Sequence, residues 1–132
     1  MLHNSPAFSS FSTDSAATAA KFYGEVLGLD VTAMDGEGMG AMVRVRFTHG
    51  ATALIYEKED HAPATHTVLM FPVDDATATA RWLTERGVAL ERLEWCDDDG
   101  VARDPSGLTP NTAWFKDPAG NWLSILESDD EG

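Results

Sequence analysis

The feature that most restricts the fold of this chain is an internal repeat. The segment FSTDSAATAAKFY beginning at Phe11 lies against FPVDDATATARWL beginning at Phe71 without a gap, so Phe11 matches Phe71, Asp14 matches Asp74, Ala20 matches Ala80 and Phe22 matches Trp82. Self-similarity at a fixed spacing means one supersecondary unit built twice. In the first copy, residues 7–13 read as a strand, with Phe8 and Phe11 on opposite faces because side chains alternate across a sheet. Asp14 or Ser15 then caps a helix. Its apolar positions Ala19, Phe22, Tyr23, Val26 and Leu27 form one stripe at helical spacing, and Gly28 ends it in the left-handed cap position. Strands follow at 29–34, 41–47 and 51–57, joined by turns at 35–38 and at His49-Gly50. That is a βαβββ unit. The second copy opens with a strand ahead of Phe71 and a helix after Asp74, and continues through strands at 89–95, 111–116 and 121–127.

A chain of 132 residues with 43% hydrophobic residues can bury one core. We therefore expect a single domain over 1–132, with module one at 7–57 and module two at 65–127. The net charge of −13 repels nucleic acid and anionic membranes, which excludes both as partners. The single cysteine, Cys96, rules out an internal disulfide and suits a reducing compartment. With no leader-like N-terminus and no long apolar run, the expected location is the cytoplasm. The acidic runs at 97–99 and 128–131 read as solvated surface. The loop at 96–110 either lies over a site or is a disordered excursion.

The chain closes on WFKDPAGNWLSILE, from Trp114 to Glu127, a hairpin whose turn Asp117-Pro118-Ala119-Gly120-Asn121 has Pro, Gly and Asn where turn geometry favours them. An Asp-Pro-x-Gly-Asn turn leading into a final apolar strand, the helix segment KFYGEVLGL and the duplicated βαβββ pattern together resemble the vicinal-oxygen-chelate superfamily. That superfamily includes glyoxalase I, extradiol dioxygenases and bleomycin-resistance proteins. The resemblance runs from about Phe8 to Glu127. It implies an α+β fold of two tandem βαβββ modules curled into a half-open barrel, helices outside and a cavity within.

The resemblance also implies where a divalent ion would be held in metal-dependent members. Counting from the helix starts and the closing turn, those four positions read Phe8, Ala53, Val68 and Ser124. Three apolar side chains and a hydroxyl do not make a catalytic metal site, so no metal and no cofactor are expected. Strand alternation adds Ser10 and Ser12 beside Phe8, His66 and Met70 beside Val68, Ala51 and Ile55 beside Ala53, and Trp122 and Leu126 beside Ser124. With Trp114, this is an apolar, aromatic and methionine-rich lining of the kind small-molecule pockets have. Glu57, Glu59, Asp60, His61 and His66 read as a solvated connector between the modules.

The function implied is metal-free binding of an apolar or aromatic small molecule, as in bleomycin-resistance proteins. The acidic surroundings suit a cationic ligand held by Trp114 or Trp122 through cation–π contact. The alternatives are a glyoxalase-like or dioxygenase-like enzyme with an atypical site, an enzyme using His66 as general base beside Ser124 or Tyr56, and a dimeric domain with no ligand. The resemblance also implies a homodimer.

Overall fold

The computed structural model describes residues 1–36 and 40–128. The turn expected at 35–38 falls largely outside the described residues, as does the acidic run beyond Ser128. The chain forms two compact units, 1–63 and 64–132.

The first unit contains β1 (Ser9–Thr13), α1 (Ala16–Lys21), β2 (Asp30–Gly36), β3 (Gly40–Arg46) and β4 (Thr52–Glu57). Its sheet has the order β1-β4-β3-β2, with β1 parallel to β4 and the other pairs antiparallel. The second unit contains β5 (Thr67–Val73), α2 (Ala76–Glu85), β6 (Leu90–Glu91), β7 (Thr112–Lys116) and β8 (Trp122–Glu127). Its order is β5-β8-β7-β6, the same topology. The repeat in the sequence is therefore a repeat of βαβββ in space.

Each helix starts where its cap residue satisfies an orphan backbone donor. The Ser15 hydroxyl accepts from the amide of Thr18 at 3.2 Å, so Ser15 rather than Asp14 is the cap. Asp75 does the same for Ala78 at 3.0 Å. After Lys21 the first helix widens into a π-helical turn at Phe22–Val26, in which Leu27 donates to the carbonyl of Phe22. This turn brings Tyr23 to full burial against Phe11 and edge-on to Phe22. It also brings Gly24 so close to β2 that a Cβ there would stand 2.8 Å from Cγ2 of Val31. Gly28 ends the segment at φ 74°, the left-handed cap its position in the sequence calls for.

In each sheet the face its helix covers is buried, and on the other face Met42 and Ser124 are buried as well. Phe11, Val43, Val45 and Ile55 pack beneath α1, and Phe115, Leu123 and Ile125 beneath α2. Only two residues of the strand expected at 89–95 join the sheet. The Cys96 amide donates to the Leu93 carbonyl at 3.0 Å, a turn that takes the chain out of the sheet, and beyond it the Asp99 and Val101 amides donate to Asp97 Oδ1. The loop at 96–110 is thus not a disordered excursion. Ala102 bridges Cys96 and Thr112, and Asp104 gathers the amides of Ser106, Leu108 and Thr109. Two members of the acidic run are ion-paired, Asp97 with Arg103 and Asp99 with Arg81, rather than merely solvated.

Candidate functional site

The closing turn of each unit sets which side chains its last strand presents. In the second unit the Asp117 amide donates to the Asn121 carbonyl at 3.0 Å; in the first, the Phe47 amide donates to the Ala51 carbonyl at 2.8 Å. Ala51, not Gly50, is therefore the counterpart of Asn121. The counterpart of Ser124 moves with it, from Ala53 to Leu54. Strand pairing agrees, since Ser124 lies opposite Met70 and Leu54 opposite Ser10, the residue that matches Met70 in the repeat. Ala53 is only 1% exposed and sits in the row Ser9-Ala53-Val45 on the helix-covered face. Ile55 is on that face too, so neither belongs to the lining expected from the sequence.

The open face of the first sheet carries Ser10, Leu54 and Arg44 in one row and Ser12, Tyr56 and Met42 in the next. Phe8 precedes β1 and is 53% exposed. The Arg44 guanidinium carbon stands 5.4 Å from the centre of its ring. The Ser12 hydroxyl lies 2.7 Å from Nδ1 of His61. His61 thus belongs to this face and not to a solvated connector. Arg44, Leu54 and His61 were not among the expected lining residues. The alternation Met42, Arg44, Arg46 against Val43, Val45, Phe47 was the available signal, because it puts two arginines on the open face of an inner strand.

On the open face of the second sheet, Met70, Ser124 and Trp114 form one row across β5, β8 and β7, with Trp122 and Lys116 in the next. Ser124 is buried, Met70 is 61% exposed, and both tryptophans are half-buried. Lys116 Nζ stands 4.7 Å from the Trp122 ring centre and 3.9 Å from Glu91. The cation expected over Trp122 is therefore supplied by the chain itself. A register shift between Thr67 and Leu69 makes Val68 the extra residue of a bulge. The count by twos from Met70 to His66 crosses this bulge, so it does not carry over. His66 is exposed ahead of β5, and among the described residues no hydrogen bond joins it to Ser124.

With Leu54 in place of Ala53, the positions the resemblance implies for a metal read Phe8, Leu54, Val68 and Ser124, which offer one hydroxyl and no imidazole or carboxylate. This donor set does not fit a catalytic divalent ion. Among the described residues no group of three or more His, Cys, Asp or Glu converges on one point. A shallow groove of about 660 Å³ lies beside α1 and the edge strand β2, lined by Lys21, Gly24, Glu25 and Asp30 among others. It contains none of the expected residues. No helix among the described residues is long and apolar enough to cross a membrane.

The sequence matches the Glyoxalase/Bleomycin resistance protein/Dioxygenase superfamily over residues 8–125, and the chain belongs to that family. No curated protein matches it. Among solved structures it is similar to TnmS3, an antibiotic binding protein from Streptomyces sp. CB03234, with 23% identity, TM-score 0.70, and coverage of 96% of this chain and 98% of that one. A superfamily member from Sphaerobacter thermophilus DSM 20745 shares 20% identity at TM-score 0.68, over 94% of this chain and 98% of the other. A lactoylglutathione lyase from Agrobacterium tumefaciens shares 20% identity at TM-score 0.63, over 95% and 96%. At these identities the likeness shows a glyoxalase-like fold, common to a binder and an enzyme alike.

Proposed function

We propose that this protein binds an aromatic small molecule on the open faces of its sheets without a metal ion. The observation that carries this reading is the row Met70-Ser124-Trp114 with Trp122 beside it. Large apolar side chains stay partly exposed around a buried hydroxyl on the face the helix leaves uncovered. Side chains of this kind, flat, polarizable and adaptable, suit a flat apolar ligand. That a binder of antibiotics shares the fold supports the reading. The four positions without metal-binding side chains favour sequestration over glyoxalase or dioxygenase chemistry. We further take the protein to be cytoplasmic and homodimeric; light scattering at micromolar concentration tests the assembly.

The experiment is a titration with N-phenyl-1-naphthylamine, a neutral aromatic fluorophore, before and after treatment with chelator. Saturable binding unchanged by the chelator is expected, and Ser124→Tyr should weaken it by filling the space. Absence of binding, or binding lost with a stoichiometric metal, overturns the proposal. A second, hydrolytic reading has one observation in its favour, the 2.7 Å Ser12–His61 contact, which is a nucleophile-to-base distance. Turnover of an activated ester, abolished by Ser12→Ala, is its test.

A further inference from the structure

We infer that Arg44 anchors an anionic group of the ligand, so that the preferred ligand is an aromatic anion rather than a cation. This rests on the ligand-binding reading above and concerns the open face of the first sheet.

The argument begins with charge pairing. The chain has 22 acidic and 9 basic residues, so carboxylates are abundant. Among the described residues, Arg46, Lys58, Arg81, Arg103 and Lys116 each have a carboxylate oxygen within 4.0 Å. Arg44 has none, and unlike Lys21 and Arg92, which also have none but are exposed, it is half-buried on an inner strand where a partner would help most. Its neighbour on the same face gives the contrast. Arg46 reaches Thr32 at 2.7 Å and Asp30 at 4.0 Å, toward β2. Arg44 turns the other way, toward β1, where its charge meets the Phe8 ring.

A ring face stabilises a guanidinium but leaves its in-plane N–H donors open to an acceptor. The planar fork matches two oxygens of a carboxylate or sulfonate, a geometry that lysine cannot reproduce. Between Arg44 and Ser10 lies Leu54, on the strand between theirs. Two interstrand spacings, roughly 10 Å, separate the outer backbones, enough to seat a fused ring over Leu54. Phe8 then offers an aromatic edge and Ser10 and Ser12 offer hydroxyls. A cationic ligand on this face would meet Arg44 as a like charge.

The test uses two fluorophores with the same ring system, anionic 8-anilinonaphthalene-1-sulfonate and neutral N-phenyl-1-naphthylamine, with the full chain and with Arg44→Gln, Arg44→Lys and Arg46→Gln. The wild type should favour the anion. Arg44→Gln should weaken the anion roughly tenfold or more, the scale of a lost charged hydrogen bond, and change the neutral probe less than about twofold. Arg44→Lys should fall between, and Arg46→Gln should preserve the preference. Circular dichroism confirms the fold of each variant, and the wild-type preference for the anion stands as a measurement independent of them. Binding of both probes with no dependence on Arg44, or an equal loss of both, overturns this assignment alone. Failure of both probes to bind the wild type overturns the ligand-binding reading and this assignment with it.

Discussion

The side-chain amide of Asn121 donates to the carboxylate of Asp117 at 3.1 Å, and both residues are buried. The other Asp117 oxygen accepts from the amides of Ala119 and Asn121 at 3.0 and 2.9 Å, while Asn121 Oδ1 accepts from the amide of Ala64 at 3.4 Å. This turn fixes the register of β7 against β8 and ties in the chain that leads to β5. The register is what sets Ser124 between Met70 and Trp114, so the turn acts on the site from a distance.

Replacing either residue of this pair by alanine strands buried polar groups. We expect Asp117→Ala and Asn121→Ala each to cost about 1–3 kcal/mol of stability. Because they share one bond, the double variant should cost less than the sum. Urea unfolding of the four proteins measures this; strict additivity, or losses within error of zero, would show that the turn is not held by these side chains.

The π-helical turn leads to a second expectation. Alanine is normally the better helix residue by about 1 kcal/mol. At Gly24 the added Cβ would stand 2.8 Å from Val31, whose branched side chain has little freedom to move. Overpacking should win, and Gly24→Ala should destabilise by about 1–3 kcal/mol. Adding Val31→Ala should remove the clash and narrow the difference between Gly and Ala at position 24. A Gly24→Ala variant as stable as the wild type in thermal melts would contradict this.

Much of the fold was legible in the sequence because its signals are local and appear twice. The repeat from Phe11 and Phe71, the alternation in 41–47 and the Gly28 cap each have one physical reading. The site was less legible because it depends on counting. Gly50 has the look of a turn residue and Ala51 does not, yet the Phe47–Ala51 backbone bond makes Ala51 the counterpart of Asn121 in the repeat, and one residue of error exchanges the two faces of a strand. The bulge at Val68 adds a residue that no alternation pattern reveals. Ser12 and His61 stand far apart in the chain, and their meeting is a product of tertiary structure alone. The direction in which Arg44 turns is likewise a choice made by its neighbours.

The ordered loop after Cys96 should be sensitive to acid. The Arg103 guanidinium, 2.6 Å from Asp97, holds that carboxyl below its usual range, with the Val101 and Asp99 amides adding to the effect. The Ser106 hydroxyl and amide, followed by Thr109, bring Asp104 down to about 2. For a carboxyl depressed in the folded state, stabilisation is fully present above the unfolded value near 3.8 and is lost as pH falls through the folded value. The loop should therefore hold at pH 5 and loosen progressively below about pH 4, toward pH 2. Carboxyl-carbon NMR titration checks this. Asp104 titrating at or above 3.8 would refute it, and Ser106→Ala should move its midpoint upward.

The last expectation separates two positions that the sequence alone treats alike. An imidazole at position 8 and a carboxylate at position 124 would each introduce a polar group into an expected apolar lining. The structure distinguishes them, because Phe8 is 53% exposed whereas Ser124 is 1% exposed. Phe8→His keeps an aromatic ring in partial contact with water, and losing the contact with Arg44 should cost no more than about 1 kcal/mol. Ser124→Glu forces a larger, ionisable side chain beneath Met70 and Trp114, and the Lys116 ammonium in the next row is already held over Trp122 and beside Glu91. Burying it should cost several kcal/mol, about 3 or more, and should raise the carboxyl pKa so that the variant is least stable at neutral and alkaline pH. Denaturation at pH 5 and pH 8 measures both effects. Equal costs at positions 8 and 124, or a Ser124→Glu variant more stable at pH 8 than at pH 5, would show that Ser124 has access to water or to a cation, and would reopen the case for a metal on that face.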